Sequence, residues 1–219
     1  MTQTSWYARR GKRLADAVAS AVLLVPLAPV FAVIAAAVKA TSRGPVLFAQ
    51  ERPGLHGKPF QILKFRSMRT FEDSYDADGA ELSNSARITP VGRVLRRTSL
   101  DELPQLVNVL RGEMSIVGPR PALMYQVERY DDVQRQRLDV RPGITGLAQV
   151  RGRNELTWEE KIAVDLEYVR TVSASLDLRI VLRTFRVVIS GGGVQFSRYD
   201  KLSAHNGDLR AHVGENAAS

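Results

Sequence analysis

Residues 17–38, AVASAVLLVPLAPVFAVIAAAV, form an uncharged run that as a helix would extend roughly 33 Å, enough to cross a bilayer. Two features argue against a simple crossing. Pro26 and Pro29 lie near its middle, and each removes a backbone hydrogen bond and bends a helix. Basic residues flank both ends: Arg9, Arg10, Lys12 and Arg13 before it, Lys39 and Arg43 after it. Segments of that charge stay on the cytoplasmic side, so both ends prefer the same face of the membrane. A re-entrant helical hairpin over residues 1–40 meets both conditions. It enters one leaflet, breaks at Pro26, Ala28 and Pro29, and returns, each arm of about 10 residues reaching about half the hydrocarbon depth. A cleaved signal peptide, a straight anchor and the buried helix of a soluble protein are the competing readings. A signal peptide has a shorter apolar core, and the hairpin is preferred to all three.

The remaining chemistry is bounded by what the chain lacks. It has 219 residues, no cysteine and three scattered histidines, His56, His205 and His212. Disulfide frameworks and thiolate catalysis are excluded, and neither a zinc cluster nor a Ser-His-Asp triad is visible. The length and the 44% hydrophobic content support one packed domain with an appendage. The formal charge of +8 comes mostly from arginine, which favours phosphate groups: nucleic acid, anionic lipid or a nucleotide. No interleaved aromatics or nucleic-acid motif accompany the charge, so nucleic acid is not expected as a partner.

The fold expected is α+β and mainly helical: a compact cytosolic catalytic domain over 41–190, with a short β-hairpin and amphipathic interfacial helices. VLFAQ (46–50) and FQILKF (60–65) read as strands around the turn-rich ERPGLHGKP. Residues 72–87 read as a polar surface loop. A helix is expected near 101–111, ending at Gly112, and two more over 155–172 and 175–190. In the last, Arg179, Arg183 and Arg186 share one face and Leu178, Val181, Leu182, Phe185 and Ile189 occupy much of the rest. That pattern fits a core helix with a solvated arginine stripe or a helix lying on lipid. From residue 191 the chain is glycine-rich and polar, and a frayed tail over 191–219 is expected.

Asp101 and Glu102, in RRTSLDELPQL (96–106), are the candidate chemical pair. Ser99-Leu100-Asp101-Glu102 also fits the capping box of a helix start. Pro104 opposes that register, because a helix capped at Ser99 would put proline at its fifth position. A later start places it in the first turn, where it is tolerated, and frees one acid. Both readings stand on the sequence alone. Two carboxylates can bind Mg2+, and one can attack phosphorus to give an acyl phosphate. Arg96 and Arg97 would neutralise charge on an anionic substrate. A basic scaffold whose acids merely cap a helix is the alternative from another class.

QERPGLHGKPFQILKFRSM, SLDELPQLVNVLRGEMSIVGPRP and VRPGITGLAQVRGRN resemble the successive signature blocks of the bacterial sugar transferases, the monotopic phosphoglycosyl transferases. The likeness runs from about Arg13 to Phe185. It implies transfer of a sugar 1-phosphate from a UDP-sugar to a polyprenol phosphate (undecaprenyl phosphate) at the cytoplasmic face of the bacterial inner membrane. UMP is released, and glycoconjugate or exopolysaccharide assembly begins. The resemblance assigns Asp101 as the nucleophile of a ping-pong reaction and Glu102 to acceptor activation or to Mg2+, with both acids as metal ligands. It assigns Arg96, Arg120, Arg141, Gln149, Arg151 and Arg153 to the phosphate or nucleotide end. It also implies anionic membrane lipid as a partner. One departure is Ala28, where relatives commonly carry serine before the hairpin proline.

Overall fold

The computed structural model describes residues 7–70, 73–75, 78–80, 82–152 and 155–189. The expected tail over 191–219, Arg153 and parts of the 72–87 segment lie outside the described residues.

The fold is mainly helical. After a π-helical turn, Tyr7–Gly11, helix α1 runs from Lys12 to Thr41 and contains both Pro26 and Pro29. The expected interruption into two helices is not seen: the helix is continuous through both prolines. Each proline deletes only its own N–H, and the hydrogen bonds of neighbouring residues carry the ladder past it. The helix is nevertheless held only at its two ends. Asp16 and Ser20 are buried near one end and Ile34 and Val38 near the other, whereas no residue from 21 to 30 is buried. Toward its C-terminal end, Phe31 meets Phe65 edge to face, with centroids 5.3 Å apart, and Ile34 and Val38 pack with Phe65 and Leu95. Arg66 closes that end, its guanidinium donating to the carbonyls of Ser42 and Arg43, where the helix dipole favours a cation.

The hairpin predicted from sequence is present and longer than expected. Strand β1 (Leu47–Pro53) pairs antiparallel with β2 (Pro59–Phe65), Leu47 opposite Phe65 and Pro53 opposite Pro59. Helices α2 (Asn84–Arg87) and α3 (Pro90–Thr98) follow. Thr89 caps α3 by accepting from the Gly92 N–H, and its own N–H donates to the Ser67 carbonyl. Helix α3 thus sits directly on the end of the β2 segment. A Cβ at Gly92 would fall 1.8 Å from the Ser67 carbonyl oxygen, so only glycine permits this approach.

Ser99 terminates α3 with a left-handed backbone, φ 57°, and makes no side-chain cap to the following turn. The capping-box reading of Ser99 and Glu102 is therefore corrected. Leu100–Glu102 form a 3-10 turn, and α4 (Gln105–Arg111) begins after Pro104 and ends at Gly112. Proline stands at the helix entrance, where its missing N–H costs nothing.

A feature not read from the sequence joins the two proline-glycine loops. Strand β3 (Ser115–Val117) pairs in parallel with β4 (Gly143–Thr145). The loops pass so closely that a Cβ on Gly143 would lie 2.1 Å from the Gly118 nitrogen. Between them lie α5 (Met124–Glu128) and α6 (Asp132–Arg135). Helices α7 (Leu147–Arg151), α8 (Trp158–Thr171) and α9 (Ala174–Ile189) complete the body. Its largest apolar cluster joins Val117, Val140, Leu147, Tyr168, Val169 and Ile180.

Candidate active site

Asp101 and Glu102 sit side by side on the 3-10 turn, yet their environments differ sharply. Glu102 is clamped. Its Oε1 accepts from Lys64 Nζ at 2.8 Å and from Arg120 Nη2 at 2.6 Å, and Oε2 accepts from Arg120 Nη1 at 3.3 Å. Burial alone would raise its pKa, but the charges and hydrogen bonds of Arg120 and Lys64 outweigh it and hold the carboxyl well below the usual carboxylate range.

Asp101 is 9% exposed and, among the described residues, accepts no hydrogen bond. Its pKa is pushed up to about 6 by burial and by the neighbouring Glu102 charge, against the pull of Lys64, Arg96 and Arg120. Neighbouring acids thus have pKa values driven apart, a pattern that separates a reactive carboxylate from an electrostatic one.

The groups around the pair come from three distant segments. Lys64 is on β2, and Arg96 is in the last turn of α3, its Nε donating to Ser67 Oγ at 2.8 Å. Arg120 is placed through its own backbone. The buried Arg137 donates from Nη2 to the Arg120 carbonyl at 2.7 Å, from Nη1 to Tyr130 Oη at 2.6 Å and from Nε to Asp165 Oδ2 at 2.7 Å. Removing either partner of that buried ion pair would strand a charge in the core.

The structure therefore brings together Asp101, Glu102, Arg96 and Arg120 and adds Lys64. Three other residues singled out from sequence have framework partners instead. Arg141 donates from Nε to the Gly112 carbonyl at 2.8 Å, closing the end of α4. Gln149 donates to the Ile144 carbonyl at 3.0 Å, and Arg151 pairs with Glu167. Lys64, Asn108 and Arg137 were not found from sequence. The only sign of Lys64 was a cation inside an apolar strand run; Arg137 lay unmarked in a charged segment. Asn108 is fully buried, donating to the Gln61 carbonyl and to Glu113 and accepting from the Leu63 N–H. It fixes α4 against β2, and with it the spacing between Glu102 and Lys64.

Among the described residues no group of three or more acidic, histidine or cysteine side chains is gathered for a metal. The acid pair still suits Mg2+, which takes one or two carboxylates and completes its shell with water and phosphate oxygens. Asp101 has both oxygens free of hydrogen bonds, and Glu102 Oε2 accepts only one long bond, leaving it a lone pair to offer.

A carboxylate of raised pKa beside a clamped one, ringed by cations, is an arrangement suited to an anionic ligand. A helix long and apolar enough to cross a membrane adds association with a bilayer. The bacterial sugar transferase family matches residues 7–191, and the chain belongs to that family. It is 46% identical over 184 residues to the uncharacterized sugar transferase EpsL of Bacillus subtilis, covering 84% of this chain and 90% of that protein. It is 48% identical over 185 residues to UDP-glucose:undecaprenyl-phosphate glucose-1-phosphate transferase of Caulobacter vibrioides, covering 79% of this chain and 67% of the relative. With the exopolysaccharide production protein ExoY of Rhizobium meliloti it shares 41% identity over 196 residues, 83% of this chain and 87% of the relative.

Proposed function

We propose that the chain transfers a sugar 1-phosphate from a UDP-sugar to undecaprenyl phosphate, yielding UMP and a polyprenyl diphosphate sugar. The observation that carries this reading is the asymmetry of the acid pair: Glu102 is neutralised by Lys64 and Arg120, while Asp101 accepts no bond. The name of the Caulobacter relative supports both donor and acceptor classes.

The reaction is ping-pong. An Asp101 Oδ attacks the sugar-bearing phosphorus, and the bond from that phosphorus to the bridging oxygen breaks. UMP departs with the electron pair, leaving the sugar phosphate on the carboxylate as an acyl phosphate. A phosphate oxygen of the lipid then attacks the same phosphorus, and the Asp101 carboxylate leaves. Lys64, Arg96 and Arg120 offset the repulsion between a carboxylate and a diphosphate. Asp101 and Glu102 would hold Mg2+, which when bound supplies further neutralisation of phosphate charge.

The body lies at the cytoplasmic face of the inner membrane, and α1 re-enters rather than crosses. Its two seated ends, unburied middle and basic flanks support that reading. Helix α9 lies on the lipid surface through Leu178, Leu182 and Phe185, each more than half exposed. The product belongs to the first membrane-bound step of glycoconjugate or exopolysaccharide assembly.

Purified protein incubated with Mg2+ and a radiolabelled UDP-sugar panel should release UMP without any lipid acceptor and acquire a phosphosugar mass on the Asp101 peptide. Asp101→Asn should do neither. Release of UMP by that variant at the wild-type rate would remove Asp101 from the chemistry.

A further inference from the structure

The turn and helix that carry the acid pair bear three buried polar residues, Asp101, Gln105 and Asn108, at positions i, i+4 and i+7, and Asn108 is bonded to β2. Helical spacing brings such residues to adjoining places on one side of the backbone. The backbone from Leu100 to Arg111 stays in the right-handed helical region through Leu103 and Pro104, so the stripe is not broken at the proline.

The three members are satisfied very unequally. Asn108 makes three hydrogen bonds to its surroundings. Gln105 is 2% exposed, and its Nε2 is fully buried without a hydrogen-bond partner. Asp101, one step along the stripe, is the acceptor that takes no bond. Leaving a buried amide donor unpaired is costly, and a group of that kind in a folded protein calls for an explanation, a catalytic role among them. An apolar side chain of the same volume would fill the position at less cost.

We propose that Gln105 is the hydrogen-bond donor to the Asp101 carboxylate during the reaction, a positioning residue that decides which oxygen attacks. This rests on the reading of Asp101 as the nucleophile. One Asp101 oxygen forms the bond to phosphorus as the phosphorus–oxygen bond to UMP breaks. The other oxygen, which becomes the carbonyl of the acyl phosphate, accepts from Gln105 Nε2. When the lipid phosphate displaces the aspartate, negative charge returns to that carboxylate, and the same N–H stabilises it as a leaving group. Lys64 and Arg120 are both hydrogen-bonded to Glu102, whereas the Gln105 amide donor has no partner.

The test uses the full chain with UDP-glucose and the other members of the UDP-sugar panel, undecaprenyl phosphate and Mg2+. Gln105→Met keeps the volume and removes the donor; Gln105→Glu replaces the donor with an acceptor. Both should lower kcat at least about tenfold, with KM for the UDP-sugar changed less than about twofold. Gln105→Met should melt no lower than wild type, because it removes an unpaired buried amide. Gln105→Met with kcat within twofold of wild type would overturn the proposal. So would parallel losses of kcat and thermal stability with the sugar-nucleotide KM raised, the behaviour of a packing residue. Asp101→Asn run beside them separates the layers: UMP release in that variant defeats the nucleophile reading itself, whereas its loss beside a fully active Gln105→Met defeats only the role of Gln105.

Discussion

At the scale of single residues, the burial of Asp101 costs stability when the group is ionised. Its pKa is raised in the folded protein from 3.8 to about 6 by burial and the Glu102 charge. The folded state therefore holds the Asp101 proton more tightly than the unfolded chain does. Stability from the neutral form is fully present below about pH 4 and is lost as pH rises through 6, where the ionised group disfavours folding by about 3 kcal/mol. Asp101→Asn lacks this penalty. In metal-free buffer it should melt above wild type by roughly 6–10 °C at pH 7.5, with the difference shrinking as pH falls from 6 to 4. Calorimetry of both proteins across that range checks it, and a gap independent of pH would show that Asp101 is not desolvated in the folded state. Glu102 behaves oppositely: it stays charged in the folded protein throughout this window while the unfolded chain protonates it near its ordinary value of 4.5, so it adds stability as pH rises from 4 to 6, a contribution that wild type and Asp101→Asn share.

At the scale of elements, the sequence revealed segments better than meetings. The apolar run, the hairpin of β1 and β2, the helices α8 and α9 and the acid pair were all legible, because each is announced by local period or residue type. Lys64 was not, since it is 38 positions from Glu102 and nothing local says which strand will face the 3-10 turn. The partners of the motif residues Arg141, Gln149 and Arg151 were illegible for the same reason. A guanidinium or amide in a loop signals anion binding equally well whether its partner is a phosphate or the carbonyls of Gly112 and Ile144. Helix α1 shows the limit most clearly, because prolines that spell a break still lie within a continuous helix. Its ends are tied to one body: Arg13 donates to the carbonyls of Val109 and Leu110, Asp16 accepts from Ser115 Oγ, and Val38 packs on Phe65. The proposed re-entrant path keeps both ends on the same side of a bilayer. Single cysteines at the exposed positions Arg10 and Thr41 should both be shielded from a membrane-impermeant thiol reagent in intact bacteria and both react after lysis. Reaction of one alone in intact cells would mean that α1 crosses.

At the scale of the whole molecule, α9 divides its surface between the core and the outside, and the proposed membrane face follows from that division. Asp177, Ile180 and Thr184 turn inward: Asp177 accepts from Tyr7, Lys12 and Tyr168, Ile180 is 1% exposed, and Thr184 Oγ1 is 2.7 Å from Thr145 Oγ1. The Leu178, Leu182 and Phe185 side chains are left outside on a second stripe, while Ile180 packs in the core with Leu176 and Val181 against it, so α9 buries one part of its apolar surface and exposes the rest. Exposing three large apolar groups in a row to water forfeits roughly 1.5–3 kcal/mol each relative to burial, and the arginines beside them suit anionic headgroups. The Lys12–Asp177 bond at 2.6 Å fastens this helix to the base of α1, so on the proposed reading the two elements meet the bilayer as one unit. Because the chain has no cysteine, single fluorophores can be placed without background. In reconstituted vesicles, labels at 178, 182 and 185 should be quenched by a bilayer-resident nitroxide and protected from aqueous iodide, with labels at 179 and 183 showing the reverse preference. Iodide reaching all five positions equally would mean that α9 stands in water and would leave α1 alone to hold the protein to a bilayer.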